Sequence, residues 1–167
     1  MKRSLVMAMK RSPSLFLAIV LATGCAARLP YSDACTSVSS NVEKAFRYHS
    51  LDELKANVSA LRLADRLDAF VHGMQCVHPP FLFLANTLIE EPRTRDETLR
   101  RLDWELRDSE RFAYIELMRI LHEKKKIDIN SDRLLREQIK RSLSRLEDES
   151  LRARLIRLFA RDGVTFQ

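Results

Sequence analysis

The sequence predicts an all-α chain, an antiparallel helical bundle of about five helices with one disulfide, and three observations predict it. Apolar residues recur at spacings of three and four over most of residues 51–163. Boxes of the form Ser/Thr-x-x-Glu stand at Ser40–Glu43, Ser50–Glu53 and Thr94–Glu97, each able to satisfy backbone donors at a helix start. Strand signals are weak throughout: no alternating run of six, and no Asn-Gly or Asp-Gly between apolar segments. With 46% hydrophobic and 31% charged residues among 167, the chain can bury a core. Three glycines leave no phosphate-cradling loop, which argues against the common nucleotide-binding folds.

Taken in order, Leu51, Leu54, Val58, Leu61, Leu67 and Val71 predict one long helix that ends at Gly73. His78-Pro79-Pro80 breaks the chain, and Phe81 to Ile89 is apolar on nearly all sides, as expected of a central, buried helix. Pro92 marks its end. Leu99, Leu102, Leu106, Ala113, Leu117, Ile120 and Leu121 form a single stripe, which predicts a helix from Asp96 to about Lys125. After a turn at 128–132, Leu135, Ile139, Leu143 and Leu146 predict another. Leu151, Leu155, Leu158 and Phe159 predict the last, closing near Gly163. Because neither Pro nor Gly falls between Arg93 and Asp162, nothing local is expected to interrupt helix there.

The first 24 residues differ in kind. Lys2, Arg3, Lys10 and Arg11 precede the run Leu15 to Ala22, and no charge appears from Ser12 to Ala27, the pattern of a secretory signal peptide. That run is far shorter than the roughly 20 residues that span a bilayer as a helix. It is followed by Leu21-Ala22-Thr23-Gly24-Cys25, which resembles the lipobox of bacterial lipoproteins. The resemblance implies removal of residues 1–24, a lipid on Cys25 and a short tether, residues 25–37, ahead of a single helical domain, residues 38–167. The covalent lipid would be the only cofactor. The four basic residues of the leader account for most of the net charge of +6, so the basic character gives little support to a nucleic-acid partner.

An exported location also frames the cysteines. With Cys25 lipidated, Cys35 and Cys76 remain as an even pair suited to an oxidising compartment. Joining them would remove roughly 4 kcal/mol of unfolded-state entropy in the chain-entropy model. The rival is a metal site built from His72, Cys76 and His78, for which no fourth ligand stands at recognisable spacing.

Catalytic patterns are near misses. His122-Glu123 has no second His at the metalloprotease spacing, and there is no Gly-x-Ser-x-Gly elbow. Asp65/Asp68, Glu90/Glu91 and the Glu147-Asp148-Glu149 run lie among Arg and Lys at helical spacing, where ion-paired faces are expected in place of acid–base pairs. No small-molecule substrate is indicated, and the expectation is a binding protein, not an enzyme. Phe81, Phe83, Leu84 and Trp104 are the candidate partner-binding residues, with Phe81–Ile89 as the floor of a groove rimmed by Arg. The expected location is the bacterial envelope, lipid-anchored at the outer membrane and facing the periplasm. In layout the chain is similar to the helical pilotins of secretion systems, which implies an assembly or targeting role for a protein partner in an envelope complex. The alternatives are a periplasmic chaperone or envelope-stress protein, and an entry-exclusion or virulence lipoprotein. If Cys35 and Cys76 are joined, the intact mass of the native chain will be two hydrogens below that of the reduced chain. Two thiols that react freely under native conditions would exclude the bond and reopen the metal reading.

Overall fold

The computed structural model describes residues 39–75 and 81–166, with the side chains of Phe81 and Leu82 outside the description. The signal segment, the tether with Cys25 and Cys35, and the stretch holding Cys76, His78, Pro79 and Pro80 lie outside the described residues. Those that are described form eight helices and no strand: α1 Ser40–Ala45, α2 Leu51–Ser59, α3 Leu63–Gln75, α4 Phe81–Ile89, α5 Thr94–Leu102, α6 Asp108–Glu123, α7 Arg133–Ser144 and α8 Glu149–Arg161. The all-helical prediction therefore holds for this part of the chain, with more and shorter helices than about five.

Two of the expected long helices are each divided. The stretch 51–73 turns at Ala60–Arg62 into α2 and α3, and Gly73 is a buried residue inside α3. The apolar spacing ran through that turn because Leu61 and Leu63 both reach the core from it. The stretch 96–125 turns at Asp103–Arg107 without Pro or Gly. A helix end leaves carbonyls without intrahelical donors. Here the buried Arg111 supplies the donors, from Nη1 to the Leu102 carbonyl at 3.0 Å and from Nη2 to that of Trp104 at 3.3 Å. On the far side of the turn Glu110 accepts the Arg107 amide at 3.0 Å.

The three predicted boxes fare differently. Ser50 Oγ accepts from the Glu53 amide at 3.2 Å, while the Glu53 carboxylate takes the His49 amide at 2.7 Å. At α1 the cap lies one residue earlier than expected, on Ser39, which accepts from the Val42 amide. Thr94 does not cap α5 at all. Its buried hydroxyl donates to the Leu88 carbonyl at 2.7 Å, tying α5 to the end of α4. The caps of the last two helices are Asp132 and Asp148, which accept amides of their own first turns.

The centre of the core is α6, not α4. It packs against α3, α4, α5, α7 and α8, and ten of its residues are buried, including Phe112, Ile115, Leu117 and Met118. In α4, Leu84, Ala85, Leu88 and Ile89 are buried but Asn86 faces solvent, so this helix is not buried on all sides. Buried arginines then join distant segments. Arg101 of α5 donates to Asp68 and to the Ala64 carbonyl on α3, and to the Tyr114 hydroxyl on α6 at 2.8 Å. Burial pushes the Tyr114 phenol up to about 12, so its oxygen stays a neutral acceptor across the physiological range. Arg119 of α6 donates to Glu116, and to Asp162 beyond the end of α8.

Both α6 and α8 end in the same hydrogen-bond pattern. After α8 the Gly163 amide donates to Ala160 and the Val164 amide to Phe159, with Gly163 at φ +79° as the predicted stop. After α6 the Lys125 amide donates to His122 and the Lys126 amide to Leu121, but here Lys125 takes the left-handed conformation at φ +57°. A Cβ at such a position is strained. Lys125→Gly should therefore stabilise the fold by up to about 1 kcal/mol, read as a higher Tm in thermal denaturation at constant pH.

Candidate functional site

The sequence-predicted partner residues fall in three different surroundings. Leu84 is 0% exposed and belongs to the core, so it offers a partner no surface. Phe83 is half-buried and packs against that core, and the Phe81 side chain is not described. Trp104 is 46% exposed and lies in the turn between α5 and α6, where the guanidiniums of Arg100 and Arg101 stand 5.3 and 5.2 Å from its ring centre. Of the groove floor assigned to α4, Leu84, Leu88 and Ile89 are thus taken up by the core.

The other sequence candidates are taken up by structural bonds. Asp65 is paired with Arg62 at 3.2 Å, Asp68 with Arg101, and Glu90 with Lys126 at 3.1 Å. His122 Nδ1 accepts the Ile129 amide at 3.3 Å, and the neighbouring Glu123 pairs with Arg119 at 3.2 Å. His72 is buried, edge-on to Phe46 with ring centres 5.2 Å apart. Cys76 and His78, its partners in the metal reading, lie outside the described residues, among which no group of three metal-ligating side chains occurs.

What the fold does build is a depression of about 580 Å³ where the α2–α3 turn meets α5. Ala60, Leu61, Leu63 and Ala64 form its apolar side, and Arg62, Arg66, Arg93 and Arg100 stand around it with Glu97. The geometry follows from local structure: the turn at 60–62 exposes one edge of an apolar stripe that a continuous helix would have kept against the core. Arg93, Glu97 and Arg100 are spaced four and three apart and so share one face of α5. Arg66 is braced by Glu91 at 3.0 Å and by the Thr87 carbonyl at 3.4 Å, and its buried Nε has no partner among the described residues. Arg93 reaches Glu91 at 3.1 Å, and Arg100 holds Glu97 through two bonds of 2.6 and 3.0 Å. The second face of Arg100 covers Trp104, so the tryptophan continues the rim of the depression.

Sequence reasoning missed this place because it followed the apolar segment Phe81–Ile89. The signal present was the spacing of Arg93, Glu97 and Arg100, which stood out little among so many helical ion-pair patterns.

These ion pairs carry a pH signature. The Arg93 hydrogen bond, followed by that of Arg66, holds the Glu91 carboxyl below its usual range, and Arg100 followed by Arg101 does the same for Glu97. A carboxyl lowered in the folded state contributes stability above its unfolded pKa, which is lost as pH falls through the folded value. Tm should fall steadily below about pH 4.5, and Glu97→Gln should flatten that acid limb while lowering Tm near neutrality. Thermal melts across this range check both.

Comparison with family models, with curated proteins and with solved structures finds no match for this chain.

Proposed function

We propose that the chain is a lipid-anchored lipoprotein of the bacterial envelope whose helical domain captures a segment of a protein partner, as an assembly or targeting factor of the pilotin kind. The observation that carries the binding part is the depression between the α2–α3 turn and α5, with an apolar side and a guanidinium rim that continues into Trp104. This combination suits an amphipathic segment that buries an aliphatic side chain against Leu61 and Leu63 and sets carboxylates against Arg62, Arg93 and Arg100. The guanidiniums of Arg62, Arg93 and Arg100 are well exposed, so they can meet a ligand carboxylate, while their partners Asp65, Glu91 and Glu97 are largely covered and fix where each guanidinium stands.

The envelope part rests on the signal segment and on Leu21–Cys25. No helix among the described residues is long and apolar enough to cross a membrane. In this reading the acyl groups on Cys25 hold the domain at the outer membrane, facing the periplasm, and the Cys35–Cys76 disulfide fastens the tether to the bundle.

Two experiments test the halves separately. Cys25→Ser should release the protein from the membrane fraction and abolish incorporation of labelled fatty acid. An unlabelled wild-type chain would exclude the anchor. A photocrosslinking residue at position 61 should capture one envelope protein that the same residue at the exposed position 144 does not. Arg100→Glu with Trp104→Ala should remove the crosslink while leaving the far-UV circular dichroism unchanged. Equal crosslinking at both positions would exclude the depression as the site.

A further inference from the structure

The arginines of this chain are treated in two ways. From α1 to the end of α6, every arginine except the buried Arg111 has a carboxylate at ion-pairing distance. In α7, its cap and α8 the pattern reverses: Arg133, Arg136, Arg141, Arg145, Arg154 and Arg157 have none among the described residues. Composition follows the same division. Residues 39–132 carry 15 basic and 17 acidic side chains, whereas residues 133–161 carry nine and four.

On α8 the excess charge is ordered. Arg154, Arg157 and Arg161, all exposed, are spaced three and four apart and form a row on the side away from the buried Leu155 and Phe159. Seven residues of helix place its ends about 10 Å apart. Along one flank of the row run Ala153, Ile156 and Ala160, again at helical spacing, and Ile156 is 44% exposed. The row is held in place without being neutralised. Arg154 lies over the Phe112 ring at 5.4 Å, and Arg161 stands 3.6 Å from Asp162, a carboxylate already engaged by Arg119. Leu134, 82% exposed in the first turn of α7, lies on the same helix edge as the uncompensated Arg141 and Arg145.

We infer that the outward face of α8 is a membrane-contact surface that docks on a leaflet rich in anionic phospholipid. A row of guanidiniums beside the exposed Ile156 and its flanking alanines matches the boundary between phosphate headgroups and acyl chains, where an interfacial helix places charge at the phosphates and Ile or Leu below them. The row and the strip beside it both follow the helix axis, a layout suited to a flat surface. This inference is independent of the anchor and of the depression, since it uses neither Cys25 nor any residue near Trp104.

The test uses the full chain carrying Cys25→Ser, so that no acyl group contributes, and vesicles of phosphatidylcholine with or without about one third phosphatidylglycerol. Because the leader carries Lys2, Arg3, Lys10 and Arg11 and will itself favour anionic vesicles, the readout is the difference between the parent and its α8 variants, which share that leader. The expected result is stronger partition into the anionic vesicles that fades as salt is raised. Replacing Arg154, Arg157 and Arg161 together by Gln should lower that partition roughly a hundredfold, each basic side chain contributing about a factor of five. Replacement of the three by Lys should retain most of it, and melting curves for both variants should match the parent. Equal partition of the parent and the Gln variant would overturn the inference. Salt-sensitive binding to duplex DNA without preference for anionic vesicles would overturn it in favour of a nucleic-acid surface.

Discussion

A guanidinium taken out of water needs acceptors from the protein, and much of this fold follows from where three of them find theirs. Arg101, Arg111 and Arg119 are all buried, and each sits on α6 or against it. Arg101 draws α3 and α5 onto α6, Arg111 gathers the carbonyls that end α5, and Arg119 reaches the residue that closes α8. Removing a partner from a buried pair of this kind typically costs about 3–5 kcal/mol, because the charge left behind has nowhere to go. The apolar stripes supply most of the driving force for packing, but they tolerate several helix registers. The buried cations accept only one.

That constraint explains why the chain turns where it does. Between Leu102 and Asp108 the sequence has neither Pro nor Gly, and its apolar spacing continues, so a straight helix is locally acceptable. The turn appears because Arg111, four residues further along, is better satisfied by the Leu102 and Trp104 carbonyls than by solvent it cannot reach from the core. The same turn lifts Trp104 to the surface. A tertiary requirement of one side chain thus produces both the boundary of α5 and the aromatic rim of the candidate site.

What was legible in the sequence follows the same division between local and tertiary causes. The all-helical class, the Ser50 cap and the Gly163 stop are written in neighbouring residues, and each stands as read. The Thr94 box had the right letters, but burial against α4 turned its hydroxyl to the Leu88 carbonyl instead. Lys125 performs the turn that Gly163 performs at the next such end, and no residue preference announces it. The apolar run Phe81–Ile89 drew the search for a site because hydrophobicity is visible in sequence, whereas a recess made by bending a stripe at Ala60–Arg62 is not. Buried Leu84 and half-exposed Trp104 were equal candidates by letter and are opposite in situation.

The adjacency of Arg100 and Arg101 gives the candidate site a property that neither residue has alone. Successive residues on a helix point about 100° apart, so one guanidinium faces solvent at the depression while the next enters the core, and both lie against Trp104. They also share Glu97, which accepts from Arg100 at 2.6 Å and from Arg101 at 3.3 Å. An incoming carboxylate can therefore meet Arg100 from the solvent side, where its guanidinium is exposed, while Glu97 stays largely covered. Glu97 is not stranded if Arg100 turns to that carboxylate, because Arg101 continues to hold it, and Trp104 keeps one cation on its ring. The rim can rearrange for a ligand while the clamp behind it stays closed, which lets a recognition surface be built directly on the interaction that holds α3, α5 and α6 together.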